Sequence, residues 1–161
     1  MGVTFKLVDR IAFIEFDLPD SKVNILTAGV IQELDRILDP LKGNGQIDAL
    51  VVTSNKPDVF IAGADIKEIE GITVPADGEA KSRAGQTVLD KLEDLTIPTI
   101  AVIDGVALGG GCELVLACRY RIATFNEKVK IGLPEVNLGF VPGFGGLTVC
   151  RVWSDFSRGS I

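Results

Sequence analysis

Apolar positions along the chain follow two periods, one typical of strands and one typical of helices. Residues 4–8 and 10–16 are two short β-rich runs that meet at Asp9, which predicts a hairpin at a sheet edge. Thr27 can cap a helix that runs to about Leu41, because apolar residues recur at helical spacing at Val30, Ile31, Leu34, Ile37 and Leu38. The N-terminal part therefore predicts a hairpin followed by an amphipathic helix.

The remaining pattern continues as alternating strands and helices. Residues 49–53 and 100–103 are apolar runs that predict interior strands buried on both faces, and residues 59–62 predict a third apolar strand. Pro98 ends a predicted helix whose apolar positions are Val88, Leu89, Leu92 and Leu95. Residues 67–80 have no sustained period, and we expect a lid or flexible loop there. This order predicts an α/β fold.

Composition indicates one globular domain with an acidic surface. The chain has 161 residues, of which 47% are hydrophobic and 24% are charged. Its 16 Lys and Arg residues face 22 Asp and Glu residues, which gives a net charge of −6. The broad basic field that non-specific nucleic-acid binding requires is missing, so we expect no nucleic-acid partner.

Histidine is absent from the sequence, which excludes Ser-His, Cys-His and His-metal mechanisms. The three cysteines are an odd number without C-x-x-C spacing, which predicts reduced thiols and a cytoplasmic location. The first residues lack the pattern of a signal peptide. The most apolar window, residues 99–117, contains Asp104 and Glu113, and we therefore expect no membrane span.

Three consecutive glycines, Gly109 to Gly111, lead from a predicted strand into an apolar helix. Such a turn lets a ligand approach the backbone, where the N–H groups of the first helical turn lack helical partners. The alternative is a tight turn in which the glycines only allow close packing of helix on sheet. A phosphate loop is excluded, because the Gly-Lys-Ser/Thr sequence and the dinucleotide glycine spacing are both missing.

Two acids are candidates for proton transfer. Glu113 lies one turn inside the apolar helix, where an ionised carboxylate must be paired, protonated or functional. An ion pair with Arg119 or Arg121 is the structural alternative to catalysis. Glu135 follows Pro134, and its structural alternative is an acid that stabilises a helix N-terminus.

A second glycine-containing turn follows the apolar strand that ends near Ala62. If the N–H groups of Ala64 and Gly110 converge, they form an oxyanion hole that stabilises a developing enolate. Lys56 and Lys67 are candidates for contact with an anionic ligand, and the alternative is that both are solvated surface lysines.

Three ordered blocks of this sequence resemble the crotonase, or enoyl-CoA hydratase/isomerase, family. They are residues 61–67, residues 104–114, and residues 133–139 followed by 142–146, and the resemblance extends over about residues 3–146. The sequence around Gln86, at residues 120–124 and at residues 132–135 is most similar to one branch of this family. In that branch a hydratase is the N-terminal domain of a multifunctional fatty-acid oxidation protein.

The resemblance implies a stacked ββα spiral and an acyl-CoA thioester substrate, with coenzyme A as part of the substrate and no separate cofactor or metal. It implies that Ala64 and Gly110 form the oxyanion hole, and that Glu113 and Glu135 hold the water added to a trans-2-enoyl-CoA. An isomerase side activity is also implied. Further substrate-binding residues implied by the match are Ala62, Gly63, Asp65, Ile66, Lys67, Gly109, Pro142 and Gly143. For the full-length form it implies a homo-oligomer or a complex with a thiolase.

Two departures from the family pattern limit the resemblance. Many relatives have a CoA-binding lysine just before the segment at Phe60, whereas this chain has Asp58 there and Lys56 two residues earlier. Residues 147–161 do not continue the family sequence, but their codons read from the last nucleotide of the Gly146 codon can encode Thr-His-Arg-Leu-Pro-Arg, which nearly does. We therefore predict an incomplete hydratase core over 1–146 and a frame-shifted tail over 147–161. The alternatives are a divergent C-terminus and a truncated, non-catalytic binding module.

Overall fold

The computed structural model describes residues 2–139 and 141–146. Its strands are β1 (Val3–Val8), β2 (Ile11–Phe16), β3 (Ala49–Ser54), β4 (Asp58–Ile61), β5 (Thr99–Ile103), β6 (Gly105–Leu108), β7 (Tyr120–Ala123) and β8 (Lys130–Gly132). Its α-helices are α1 (Ala28–Leu38), α2 (Ile66–Glu70), α3 (Pro75–Glu93) and α4 (Gly110–Ala117). Two 3₁₀ helices are Asp39–Leu41 and Pro134–Leu138. The predicted tail, residues 147–161, lies outside the described residues.

The strands form two sheets. The larger sheet has the order β1-β2-β3-β5-β7, and the smaller sheet has the order β4-β6-β8. β1 pairs antiparallel with β2, while β2, β3, β5 and β7 run parallel, with Ile11 opposite Ala49 and Ile100 opposite Tyr120. The three strands of the smaller sheet are also parallel. The predicted α/β class is confirmed.

The hairpin and the first helix form where the sequence places them. Asp9 and Arg10 have φ angles of 47° and 68°, so both central residues of the turn adopt the left-handed conformation that matches the twist of a hairpin. The Thr27 side chain accepts a hydrogen bond from the N–H of Val30, which caps α1. After Leu38 the chain tightens into the 3₁₀ helix that contains Pro40.

The lid or flexible loop expected at residues 67–80 is wrong. The segment contains most of α2 and the first turns of α3, which begins at Pro75. Pro75 lies at the first helical position, where its missing N–H is not needed. Tertiary contacts support α3 despite the glycines in its sequence. Glu68 of α2 accepts hydrogen bonds from the N–H of Ala28 in α1 and from the side chain of Lys81 in α3, and these bonds join the three helices.

The hydrophobic core is built on one face of the larger sheet. Leu50 and Val52 of β3 and Ala101 of β5 are fully buried, and they pack with apolar residues of α1, α3 and α4. The residues between them along the strands, Val51 and Ile100, are only partly buried. The prediction that these strands are buried on both faces is therefore correct for one face, because the described helices cover only that side. Within the described residues, none of the helices has the length and apolar character needed to cross a membrane.

Candidate active site

The site begins where two adjacent parallel strands end. β4 and β6 pair in parallel, with Ile61 opposite Ala107, so the turns that follow them leave the same edge of the smaller sheet. A Cβ added to Gly109 would lie 3.7 Å from the Cα of Gly63, which places the two turns in contact. Gly63 and Gly109 have φ angles of 128° and 53°, which side chains rarely tolerate. Here the glycines shape the turns and also allow their close approach.

The two turns present backbone donors. Leu26 donates to the carbonyl oxygen of Gly63 at 2.8 Å and accepts from the N–H of Asp65 at 3.4 Å. This parallel bridge leaves the N–H of Ala64, between them, directed away from Leu26. Gly110 is the first residue of α4, so its N–H has no partner inside the helix. No hydrogen bond within the described residues uses either N–H group.

The carboxyl group of Glu113 is held by backbone N–H groups. Its Oε1 atom accepts from the N–H of Phe144 at 2.8 Å and from the N–H of Gly146 at 2.8 Å. A Cβ on Gly146 would lie 2.6 Å from the Cγ of Glu113, so only glycine permits this approach. Glu113 is 3% exposed, and this burial raises the pKa of its carboxyl group. The N–H groups of Gly146 and Phe144 lower the pKa by stabilising the ionised form, and the nearby charge of Glu135 raises it further.

The structural alternative for Glu113, an ion pair with a nearby arginine, is wrong within the described residues. Arg119 donates to the carbonyl oxygen of Leu95, and Arg121 donates to that of Cys118 at 2.6 Å. Arg121 also reaches carbonyl oxygens of the last turn of α4. Arg121 thus stabilises the C-terminal end of α4 and Arg119 bonds the chain after α3, while Glu113 lies in the first turn of α4.

Glu135 lies in the 3₁₀ helix Pro134–Leu138 and is 6% exposed. A Cβ on Gly109 would lie 2.9 Å from its Oε1 atom, so this carboxyl group rests against the turn after β6. Its buried Oε2 atom has no hydrogen-bond partner among the described residues. A buried oxygen of this kind needs a partner, and a bound substrate or water can supply one.

The other predicted site residues occupy different positions around these turns. Ala62 donates its N–H to the carbonyl oxygen of Asn24 at 2.8 Å. Asp65 caps α2 by accepting from the N–H of Lys67 at 2.9 Å, while the side chains of Ile66 and Lys67 are exposed. Lys56 forms an ion pair with Asp17 at 2.6 Å. Of the two lysines considered for an anionic ligand, Lys67 is the more accessible.

Pro142 and Gly143 lie in the segment that returns to α3, and both are partly buried. The carbonyl oxygen of Gly143 accepts from Nε2 of Gln86 at 2.9 Å. Next to this contact is an open cavity of about 270 Å³ between α3 and α4, lined by Gln86, Leu89, Asp90, Glu93, Glu113, Ala117, Phe144 and Gly145. Glu113 is therefore one of the residues that line an accessible space.

Sequence reasoning missed Asn24. This residue is 1% exposed, and its Nδ2 atom donates to Phe16, Ser54 and Phe60 while its Oδ1 atom accepts from the N–H of Leu18. It joins the ends of β2, β3 and β4 and holds the turn that carries Ala64. The available signal was an asparagine within an otherwise apolar extended segment.

Comparisons with known proteins agree with this architecture. A family model described as enoyl-CoA hydratase/isomerase matches residues 8–151. The fatty acid oxidation complex subunit alpha of Vibrio campbellii is 43% identical over 137 residues, which are 85% of this chain and 20% of that protein. The subunit of the same name from Shewanella oneidensis is 42% identical over 149 residues, which are 91% of this chain and 21% of that protein. The chain thus spans about a fifth of the length of these relatives.

Solved structures show the same similarity. An enoyl-CoA hydratase from Bacillus anthracis matches with a TM-score of 0.85 and 30% identity, over 94% of this chain and 57% of that chain. DspI from Pseudomonas aeruginosa matches with a TM-score of 0.84 and 30% identity, over 93% of this chain and 59% of that chain. The fold class is therefore that of the crotonases, as the sequence blocks predicted. The chain belongs to the enoyl-CoA hydratase/isomerase family.

Proposed function

We propose that this chain forms the catalytic core of an enoyl-CoA hydratase, which adds water across the C2=C3 double bond of a trans-2-enoyl-CoA. One observation carries the proposal: two buried carboxyl groups, Glu113 and Glu135, lie near two turns, and in these turns the N–H groups of Ala64 and Gly110 have no partner among the described residues. Hydration of an enoyl thioester needs this combination, because negative charge develops on the thioester oxygen while one proton leaves the attacking water and another is delivered to C2.

The N–H groups of Ala64 and Gly110 bind the thioester carbonyl oxygen in the proposed complex. When the oxygen of water bonds to C3, the C2=C3 electron pair shifts toward the thioester and places negative charge on its oxygen. Fixed backbone donors stabilise this enolate without reorganisation, and each is typically worth about 3 to 4 kcal/mol. The position of Gly110 at the start of α4 adds the positive end of the helix dipole.

The two acids move the protons. Glu113 accepts a proton from the water that attacks C3, and Glu135 delivers a proton to C2. The proton held by Glu113 then returns to Glu135 through solvent before the next turnover. Burial raises the pKa of Glu113 toward the working pH, which makes it a better base, while the N–H groups of Phe144 and Gly146 keep its ionised form accessible.

The remaining predicted residues frame the substrate. Gly63 and Gly109 leave room for the thioester at the turns, and Ala62, Asp65 and Ile66 shape the wall on the β4 side. Lys67 makes no ion pair within the described residues and is available to the phosphates of coenzyme A. Pro142 and Gly143 precede Phe144 and Gly145, which line the space next to Glu113. This reaction needs no metal and no cofactor beyond the CoA of the substrate.

The biological setting is part of the same proposal. The relatives named above are alpha subunits of fatty acid oxidation complexes, which supports a role in fatty-acid β-oxidation. By the same similarity, we propose that the chain works in the cytoplasm as part of a homo-oligomer or a thiolase-associated assembly. We also propose that Glu135 moves a proton between C2 and C4 of an enoyl-CoA, which adds an isomerase activity.

The purified 161-residue chain tests the proposal directly with crotonyl-CoA. We expect loss of the enoyl-thioester absorbance, and we expect Glu113→Gln and Glu135→Gln each to lower turnover by about 10²- to 10⁴-fold. Glu127→Gln is the matched control, because Glu127 is an exposed glutamate away from the site. A folded chain without hydratase activity, or full activity in either acid variant, would refute the assignment and favour a non-catalytic binding module.

A further inference from the structure

The side chain of Phe144 lies between two glycines that belong to different helices. On one side, a Cβ added to Gly85 of α3 would overlap the ring, lying 2.7 Å from its Cγ and closer still to Cδ1 and Cε1. On the other side, a Cβ added to Gly110 of α4 would lie 3.4 Å from Cδ2 and 3.4 Å from Cε2. The ring therefore fits edge to edge between α3 and the first residue of α4.

The backbone of the same segment holds Glu113. The N–H groups of Phe144 and Gly146 both donate to the Oε1 atom of Glu113, and Gly145 between them has a φ of 101°. A left-handed residue between two donors turns both N–H groups toward one anionic oxygen. With Oε1 occupied by two donors, Oε2 is the carboxylate oxygen left to bind a reacting water.

Helix α3 fixes this segment at three points. Gln86 donates to the carbonyl oxygen of Gly143 at 2.9 Å, and a Cβ on Gly143 would lie 3.2 Å from the Oγ atom of Ser82. Gly85 receives the Phe144 ring on the same helical face, since positions three and four apart lie on one side of a helix. Gly85 is buried in α3, where glycine has a lower helix propensity than alanine, so the space for the ring accounts for its presence.

We propose that Phe144 and Gly85 are positioning residues: the ring, held in the notch of Gly85, keeps two backbone N–H groups on Oε1 of Glu113 and so directs Oε2 toward the substrate. This inference rests on the proposed hydratase function for its catalytic consequence. Its structural content, that the notch in α3 controls the environment of one carboxyl group, is independent of any activity.

The test uses Gly85→Ala, Phe144→Ala and the double variant, with Gly78→Ala as control. Gly78 is on the same helix, but a Cβ there would meet only Ile72, at 3.5 Å and 3.9 Å, which is ordinary contact. Carboxyl carbon NMR follows the titration of Glu113, assigned with Glu113→Gln, and amide NMR follows the N–H groups of Phe144 and Gly146. The other titratable groups near Glu113 are Glu135 on the 3₁₀ helix and Asp90 and Glu93 on α3. None of these three residues is substituted in the variants.

In the wild-type chain we expect both amide protons to shift as Glu113 titrates. Gly85→Ala and Phe144→Ala should each abolish that response and raise the pKa of Glu113, because the donors that favour its ionised form are lost. Turnover of crotonyl-CoA should fall by roughly 10²-fold with little change in KM. Adding Gly85→Ala to Phe144→Ala should cause no further change, since the ring that the methyl group displaces is already gone. Gly78→Ala should leave all these readings unchanged.

Unchanged amide shifts and an unchanged Glu113 titration in folded Phe144→Ala would overturn the inference and reduce the ring to core packing. The inference would also be overturned if Gly85→Ala changed the Glu113 titration and turnover equally in the wild-type and Phe144→Ala backgrounds. Gly85 would then not act through the Phe144 ring. If the NMR responses appear as expected in a chain that does not hydrate crotonyl-CoA, the positioning role holds and the proposed function fails. Circular dichroism and melting temperature establish that each variant is folded.

Discussion

The two sheets of this molecule are specified by different physical means. The larger sheet gathers fully buried aliphatic side chains, such as Ile14, Leu50 and Ala101, against α1 and α3. The smaller sheet has glycines where backbone approaches backbone. Gly105, at the start of β6, has no room for a side chain beside Asp58, and a Cβ on Gly111 of α4 would overlap the carbonyl oxygen of Ile61 in β4. The first sheet thus supplies stability through side-chain burial, and the turns after the second sheet leave main-chain N–H groups for the proposed chemistry.

This contrast predicts that damage to the larger sheet lowers stability while leaving turnover per folded molecule intact. Leu50→Ala removes a fully buried side chain from β3, and we expect a loss of about 2 to 5 kcal/mol in the free energy of unfolding. Urea unfolding followed by circular dichroism measures this loss. Leu7→Ala, at an exposed position of β1, is the control. A strong fall in turnover of the fraction that remains folded would contradict the division between the sheets.

Gly110→Pro is the converse change at the smaller sheet. Proline is best tolerated at the first position of a helix, which Gly110 occupies in α4, and it removes the proposed oxyanion donor. Gly110→Ala is the matched variant, because it adds the same Cβ near Leu26 and Phe144 but keeps the N–H. We expect turnover of the proline variant to be about 10²- to 10³-fold below that of the alanine variant. Equal rates for the two folded proteins would remove Gly110 from the site.

Asn24 connects the two regions, so its replacement should affect both. Asn24→Ala leaves the N–H of Leu18 and the carbonyl oxygens of Phe16 and Phe60 without this side-chain partner. We expect a loss of about 1 to 3 kcal/mol in the free energy of unfolding, together with lower turnover, because the turn after β4 loses its support. Thermal unfolding and the crotonyl-CoA assay on the same sample test this. Loss of stability alone would show that the turn keeps its shape without Asn24.

The smallest effect we expect is a pH-dependent gain in stability from Glu113→Gln. Burial raises the pKa of Glu113 above its ordinary value, so folding favours the protonated form. At pH values below the ordinary pKa of glutamate, the Glu113 carboxyl group is neutral in both the folded and the unfolded protein, and its protonation costs no stability. As the pH rises, the unfolded protein releases this proton more readily than the folded protein, and stability is lost until the pH has passed the raised pKa of the folded state. Glutamine does not ionise and should therefore stabilise the fold at pH 7 relative to the wild type, with the gain disappearing near pH 4. Melting temperatures of both proteins, with Glu127→Gln as control, measure the difference. A gain that is independent of pH would contradict a buried, titrating Glu113.

The sequence predicts the larger sheet and the acids better than it predicts the loops. Aliphatic periodicity identifies β3, β5 and α1, because burial of one face leaves a regular pattern. The same reasoning failed at residues 67–80, where Pro75 and Gly78 suggested a loop although tertiary contacts support a helix. The sequence also indicated that Glu113 must be paired, protonated or functional. That its partners are the N–H groups of Phe144 and Gly146 required the structure, since a backbone donor leaves no residue-type signal.

The donor at Ala64 has a consequence for how sites of this kind diversify. Because the N–H at this position belongs to the main chain, every amino acid except proline supplies it, and the bridge to Leu26 that orients it is also made by main-chain atoms. If the proposed function holds, side chains around the turn are therefore free to change with the acyl group that must be accommodated, while the proposed oxyanion donor is inherited with the path of the chain. Single substitutions at this turn, other than to proline at position 64, can therefore change substrate preference while every intermediate protein keeps the N–H donor.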